Sequence, residues 1–331
     1  MASAAYVTAK ASNPGTQMSD KSQSERIPLR ERLIGAALYA PIFLSRALPY
    51  RWRIPMAGWL TSRILAPLAG YNKRVTDNLA LTCPELPKAE AKRLSLDVTN
   101  NAGRNMMELY SPEFRDHVRR TPVEGPGLRL IEKARDEGRP ILFVTGHFGS
   151  INATRVAMIE MGFPMGVFYR PMVNRPFNAH YVQAMARISE PLFEQGRRGM
   201  LQMVKRLRSG GSVGILSDLN AHDGVPLEFF GKPALTSLAT AEMALKYETP
   251  LVPVWAVREA NGLNFRIIVE EEIPPSDAVT MTREFNARLE AMIRKHMGQW
   301  FWIHRRWKDG IGPMADRGAR HLAVLEGTAE D

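Results

Sequence analysis

His147 is the residue of this chain best suited to move a proton. It stands between Gly146 and Gly149, just past an apolar run at 141–144. A short, wholly apolar run reads as a strand buried on both faces of a sheet, and the spacing of Ile151, Val156, Ala157 and Ile159 after it reads as a helix. The imidazole then sits between the carboxyl end of a strand and the mouth of a helix, where open α/β sheets bind ligands. A neutral imidazole there can take a proton from an incoming hydroxyl. A loop histidine with a satisfied hydrogen bond is the plain alternative, and the pattern alone balances the two. Other charged groups occupy comparable places. Arg170 ends an apolar stretch at 167–171, where a guanidinium can grip a phosphate, steady developing negative charge, or simply make a surface ion pair. Asp218 ends the buried-strand pattern at 212–218. Arg197 and Arg198, set between Gly196 and Gly199, could hold an anion, although charge runs are usually solvated faces.

These groups need elements to position them. Residues 127–137 read as a short amphipathic helix leading into the strand before His147, and 150–161 as the helix after it. Further on come a basic helix with Lys205, Arg206 and Arg208, a helix at 239–247, strands at 251–257 and 265–269, and a helix at 280–296. Arg266 amid apolar neighbours marks 265–269 as an edge or half-exposed strand. Upstream, one helix stops before Pro84, and a longer one follows from about 88 to 110. The alternation of strand and helix predicts an α/β fold, a mixed sheet flanked by helices.

Composition narrows the class of protein. A chain of 331 residues that is 45% hydrophobic can bury one large core. No convincing linker divides its middle. The net charge of +10 predicts an acidic partner: nucleic acid, an anionic membrane surface or an acidic protein. A single cysteine, Cys83, excludes an intramolecular disulfide framework, and the seven histidines show no metal-ligand spacing, so neither a metal nor a cofactor is expected. Residues 1–26 are polar and aperiodic, which predicts a disordered tail without a secretory signal. Residues 309–331 are expected to be a second tail.

Residues 27–72 have a different character. The stretch 33–44 carries no charge but falls short of the about twenty residues that a bilayer-spanning helix needs. Arg30 and Arg32 precede it; Arg46, Arg51 and Arg53 follow, interleaved with Tyr50 and Trp52. A second apolar segment, 56–68, holds Trp59 and Leu60. Apolar helices rimmed by Arg and aromatic rings suit a membrane interface, with a pair of ordinary core helices as the alternative.

Gly146-His147-Phe148-Gly149-Ser150-Ile151-Asn152 resembles the Gly-His-Phe-Gly-Asn-Trp-Glu signature of the lipid A biosynthesis acyltransferases. These belong to the lysophospholipid acyltransferase superfamily, whose members carry His-x4-Asp/Glu. The likeness runs along most of the chain. Residues 74–86 are similar to the family's Arg-x3-Asn-Leu-x-Leu-x-x-Pro-Glu stretch, and Tyr169-Arg170-Pro171 with Asn174 to its Tyr-Arg-Pro and following Asn. The strand at 212–218 resembles one that ends in a site Asp. Residues 225–237, with Phe229, Phe230 and Thr236, are similar to its Val-Pro-x-Phe-(Phe-Gly)-x-Ala-x-Thr segment. Residues 299–308, with Arg305 and Arg306, are similar to its Gln-Tyr/Trp-x-Trp-x-His-Arg-Arg-Phe/Trp-Lys. The departure is Asn152, where the family has an acid.

The resemblance implies a lysophospholipid acyltransferase-like catalytic domain at 73–308, docked by 27–72 to the cytoplasmic face of the bacterial inner membrane as a peripheral or monotopic protein. It implies transfer of a fatty acyl chain from acyl carrier protein or acyl-CoA to a hydroxyl of a membrane lipid. In that scheme His147 takes the hydroxyl proton. Asn152 can still orient the ring by accepting a hydrogen bond, but without a charge, at a cost of ~1–2 kcal/mol. Arg170 binds acceptor phosphate or steadies the oxyanion. Asp218 holds Arg170 or replaces the missing acid beside His147. Gly149, Tyr169 and Asn174 belong to the substrate site. Phe229, Phe230 and Thr236 lie in a segment that would form an apolar channel ending at a helix amino terminus, although the two phenylalanines are core residues first on base rates. Arg197, Arg198, Arg305, Arg306 and Lys308 offer a surface to the acidic carrier. Lipid A and a smaller lyso-phospholipid or lyso-aminolipid stand nearly level as acceptors. Two other classes remain: an inactive membrane-bound scaffold, on the strength of Asn152, and a nucleic-acid binder stacking bases on the Trp-Arg cluster, for which no nucleic-acid module is found and no nucleic acid is expected.

Overall fold

The computed structural model describes residues 27–308 and 313–327. Its strands are β1 (Val123–Glu124), β2 (Leu142–Thr145), β3 (Gly166–Tyr169), β4 (Leu192–Glu194), β5 (Val213–Leu216), β6 (Val225–Phe229), β7 (Lys232–Thr236), β8 (Leu251–Arg258) and β9 (Phe265–Val269). Seven of them form one sheet in the order β1-β9-β8-β2-β5-β3-β4. All neighbours are parallel except β8 and β9, so the sheet is mixed, as the alternating pattern predicts. Strands β6 and β7 stand apart as an antiparallel hairpin.

Side chains that alternate along a strand point to opposite faces, and here each face has its own core. Leu142 and Val144 of β2, with Leu251 and Trp255 of β8, pack under the helices Arg197–Arg208, Ala239–Lys246 and Ala278–Lys295. Phe143, Val252 and Val254 pack on the other side with the helices Leu128–Asp136, Ile151–Glu160 and Arg175–Ala186. Cover on both faces is why these strands are unbroken apolar runs.

The parallel register decides what meets at the strand ends. Thr145 of β2 pairs with Leu216 of β5, so His147 and Asp218 each stand two residues past one ladder end. Strand β3 pairs with β5 through Val167 and Gly214, which brings Arg170 to the same edge. Residues 71 apart in sequence thus become neighbours because β2 and β5 are adjacent and parallel.

The amino-terminal region is helical: Leu29–Ser45, Tyr50–Leu60, a π-helical turn Thr61–Leu65, then Tyr71–Thr82 and Lys88–Leu109. No helix among the described residues is long and apolar enough to cross a membrane. Leu29–Ser45 lies against Arg175–Ala186 so closely that a Cβ on Gly35 would meet Asn174 Oδ1 and Pro176 Cβ at 2.7 Å.

Three sequence expectations are corrected. The expected carboxyl-terminal tail contains a helix, Pro313–Leu325, whose Leu322 packs with Val225 and Leu227 of the hairpin. The segment 225–237 is that hairpin rather than an open channel. Its two-residue turn, Phe230-Gly231, takes φ of 53° and 65°, the left-handed pair that such tight hairpins require. Trp300, Trp302 and Trp307 are buried against Phe229 and Phe230, so these three rings are not offered for base stacking or to a headgroup layer. The expected disorder of residues 1–26 lies outside the described residues.

Candidate active site

Asp218 is the fixed point of the site. Its side chain is wholly buried, and Oδ1 receives the His147 ring nitrogen Nδ1 at 2.7 Å. Oδ2 accepts the His147 backbone N–H at 2.6 Å and the Trp300 indole N–H at 2.8 Å. Burial alone would push the carboxyl up, but the His147 ring and the His147 backbone N–H hold it well below the usual carboxylate range. An ionised partner at Nδ1 favours the proton on that nitrogen, so in the neutral ring Nε2 is the basic atom. The His147 side chain retains 26% of its exposure.

The loop carrying His147 is pinned from behind. Its carbonyl accepts from the Phe301 backbone at 2.9 Å, and Phe148 bridges to Trp300. Gly149 has φ of 55°, and a Cβ there would lie 1.8 Å from the Ala256 carbonyl oxygen, so only glycine lets the loop close onto β8. The Gly149 carbonyl accepts from the Asn101 and Asn105 amides at 3.0 and 2.7 Å. Those two asparagines accept in turn from Arg258, whose guanidinium pairs with both carboxylate oxygens of buried Glu108. Beside the dyad lies His304, its ring 4.6 Å from that of His147 and nearly perpendicular to it. Burial is the main cause that pushes the His304 imidazole down to about 4.

Two cavities meet at His147. One, of about 290 Å³, has apolar walls that include Phe143, Met165, Val167, Leu216 and Met185, and its lining also includes Tyr169, Arg155 and the exposed Arg170. The other, of about 190 Å³, runs between Lys88–Leu109 and the 299–301 segment; Val98, Ala102, Met106 and Phe301 line it, with the amides of Asn101, Asn105 and Gln299, which are bonded to Gly149 or Arg258. His147, Ile151 and Asn152 border both.

Asn152 is not the partner of the imidazole. It stands in the first turn of the helix Ile151–Glu160, which Ser150 caps, and its Oδ1 accepts from Arg155 Nη1 at 3.1 Å. The ring N–H that Asn152 was expected to orient belongs to Asp218. Of the two roles open to Asp218, the one beside His147 is the one it fills.

Other expected site residues fall away from the cavities for physical reasons. Asn174 caps Arg175–Ala186 by accepting from Phe177 N at 2.8 Å and donates to the Glu31 carbonyl, tying down the amino-terminal helix. Phe229 and Phe230 are core. Thr236 is buried and accepts from Arg306. Arg306, expected on a carrier-facing surface, is 1% exposed and donates to the Leu235 carbonyl at 2.6 Å, with burial drawing its pKa down to about 10. Arg305, Arg197, Arg198 and Lys308 are exposed. Sequence reading missed Trp300 as a partner of Asp218, the Glu108–Arg258 pair and Arg155. Trp300 had a signal, since it lies in the similar closing segment; the other two had none beyond being charged residues in apolar surroundings.

Comparison with known proteins gives the lineage. The family model described as bacterial lipid A biosynthesis acyltransferase matches residues 23–309. The lipid A biosynthesis lauroyltransferase of Escherichia coli strain K12 is 29% identical over 251 residues, covering 71% of this chain and 78% of that protein. The palmitoleoyltransferase of the same strain is 25% identical over 277 residues, covering 81% and 88%. A phosphatidylinositol mannoside acyltransferase of Mycobacterium tuberculosis is 23% identical over 106 residues, about a third of each chain (32% and 34%). The chain belongs to the bacterial lipid A biosynthesis acyltransferase family and is an acyltransferase.

Proposed function

We propose that this enzyme moves a fatty acyl chain from the thioester of acyl carrier protein or CoA to a hydroxyl of a membrane lipid, with His147 as general base. The observation that carries the reading is the His147–Asp218 dyad at the junction of two largely apolar cavities, one of which also carries Arg155 and Arg170. The smaller cavity, walled by Val98, Ala102, Met106 and Phe301, suits the acyl chain, and the larger one, which carries Arg155 and Arg170, suits an acceptor with a polar head. The acceptor oxygen attacks the thioester carbonyl carbon while its proton passes to His147 Nε2. The carbonyl electron pair moves onto oxygen, then returns as the C–S bond breaks, and the departing sulfur takes the proton from the imidazolium. Asp218 stays ionised throughout and stabilises that imidazolium. Arg170, exposed in the lining of the larger cavity, binds an acceptor phosphate.

Residues 27–72 form the membrane-facing side in this reading. Leu33, Leu38, Phe43, Trp52, Trp59 and Leu65 are exposed along it, interspersed with Arg30, Arg46, Arg51 and Arg63. An apolar surface of this extent on a water-soluble face marks an interaction site, and arginines beside it suit anionic headgroups. Its helix Leu29–Ser45 packs on Arg175–Ala186, which carries the cavity residues Tyr181 and Met185, so docking would set the cavity at the headgroup layer of the inner membrane. The exposed Arg197, Arg198 and Arg305 suit an acidic carrier.

The names of the similar proteins favour lipid A as acceptor, and a lyso-phospholipid or lyso-aminolipid is the second candidate. Lipid profiling of a deletion strain separates them: loss of a secondary chain from lipid A, or build-up of a singly acylated small lipid. The general-base role is tested by His147→Ala, expected to lower turnover at least ~10²–10⁴-fold, the usual contribution of acid–base catalysis. Undiminished turnover in that variant ends the proposal.

A further inference from the structure

We infer that Asn152 is a hydrogen-bond donor to the thioester carbonyl oxygen, held in that orientation by the buried cation of Arg155. The inference rests on the acyl-transfer reading above and adds to it the group that receives the oxyanion.

Three observations combine. First, a guanidinium can only donate, so the Asn152 side-chain atom 3.1 Å from Arg155 Nη1 is the amide oxygen. That fixes the flip of the amide and turns Nδ2, which carries two N–H donors, away from Arg155. Second, Asn152 borders both cavities beside His147, where a thioester carbonyl must lie if His147 is to deprotonate an attacking hydroxyl. Third, the ring N–H that an acid at this position would orient is already held by Asp218, which leaves residue 152 free for the reacting atoms.

Arg155 explains why the donor is strong. It is 4% exposed, and its remaining bonds go to the Met185 and Ser189 carbonyls and the Ser189 hydroxyl, all neutral. Among the described residues it makes no ion pair with a carboxylate, and its Nε has no partner. Burial draws its pKa down to about 10, which still leaves it charged at neutral pH. A cation on the oxygen side of an amide polarises the N–H side, and in a dry cavity that dipole stabilises negative charge well. As the carbonyl electrons move onto oxygen, the charge forms against Asn152 Nδ2, with the Arg155 charge one amide further back. Arg155 is a positioning residue here, since it acts through Asn152.

The decisive variant is Asn152→Asp, which restores an acid at this position. It sits in the first turn of a helix and faces Arg155, so the variant is expected to melt at the wild-type temperature or above. It also removes both N–H donors and sets a negative charge where the oxyanion forms. We expect kcat to fall by ~10²–10³-fold with KM little changed, the usual loss on removing one such donor, and Asn152→Ala to fall comparably. Arg155→Met is expected to lower kcat about tenfold in the wild-type background and hardly at all in the Asn152→Ala background, because non-additivity marks residues acting through one another. The assay follows free thiol from lauroyl-acyl carrier protein and lauroyl-CoA, with vesicles of lyso-phosphatidylglycerol or of a lipid A precursor as acceptor. Wild-type activity in Asn152→Asp, or an Arg155→Met effect of equal size in both backgrounds, overturns the inference and leaves the His147 reading standing. A wild-type enzyme silent with every pair, or an active His147→Ala, overturns the reading and the inference together.

Discussion

Two buried arginines flank the His147 loop, and they are treated in opposite ways. Arg258 meets both oxygens of Glu108, with Asn101, Asn105 and the Gly262 carbonyl taking its other N–H groups. Arg155 meets an amide, two carbonyls and a hydroxyl, and borders the larger cavity. A closed ion pair is scaffold: its field is cancelled locally, and its geometry is transmitted through Asn101 and Asn105 to the Gly149 carbonyl. An uncancelled cation beside a cavity has a field left over for a ligand. Arg306 shows that neutral acceptors alone do not define a site, because it too is buried on a carbonyl and a hydroxyl, within the packed core at Phe229. What distinguishes Arg155 is the cavity in front of it.

Asp218 is a third buried charge, and it sits between the two cases. It is satisfied by N–H donors, yet one of them belongs to the ring proposed as general base. Asp218→Asn tests this most severely. An amide at 218 keeps much of the shape but no longer enforces the proton on Nδ1, and a misassigned tautomer costs on the order of 10³–10⁴ in turnover. The corresponding kcat measurement should show that loss with thermal stability falling far less, by a few kcal/mol at most. Equal losses in both would place Asp218 with Arg258 as scaffold.

Glu108→Gln probes the closed pair. It leaves the Arg258 charge buried without its carboxylate, a change that typically costs 3–5 kcal/mol, to be read from the urea midpoint. Replacing both partners, as Glu108→Leu with Arg258→Met, should recover most of that, since an apolar pair leaves no stranded charge. Recovery of stability without recovery of activity would show that Asn101 and Asn105 need Arg258 to hold the loop.

The contrast between these charges also explains what could be read in advance. Strands β2, β5, β8 and β9 are visible as apolar runs within a residue or two of their observed ends, because burial on both faces writes itself locally. His147, Arg170 and Asp218 are visible as the polar residues that end such runs. That His147 pairs with Asp218 and not with Asn152 depends on β2 lying next to β5, and strand order is a property of the whole sheet. The exposure of Arg305 and the burial of Arg306 are likewise set by the hairpin β6–β7 folding over one of them. The helix Arg175–Ala186 was unread despite a local signal, Asn174 as cap with Pro176 just inside the helix. Strand β4 is three residues long and carries too little pattern to separate from a loop.

His304 carries the comparison into titration and has the smallest expected effect. Asp218 and His304 flank the same imidazole, and both have pKa values below their ordinary range, with opposite consequences: one stays charged and the other stays neutral. The ordinary value for His304 is 6.5, and burial first, then the neighbouring His147 ring, Arg306 and Arg74, bring it to about 4, against the opposing pull of Asp218. Between those values the unfolded chain binds a proton that the folded chain refuses, so stability must fall as the solution is acidified from about pH 6.5 towards 4. At pH 5 the contribution is about 2 kcal/mol, at roughly 1.4 kcal/mol per pH unit. Asp218 adds nothing in that window, since a lowered carboxylate loses its stabilisation only as pH falls below the ordinary carboxylate value of 3.8 and through its folded value. Denaturant midpoints at pH 7 and pH 5 should therefore differ less in His304→Asn than in the wild type, by about 2 kcal/mol. A variant with an unchanged pH slope would mean that the ring next to His147 is charged in the folded enzyme. A further cation would then face the dyad, beside Arg155 and Arg170.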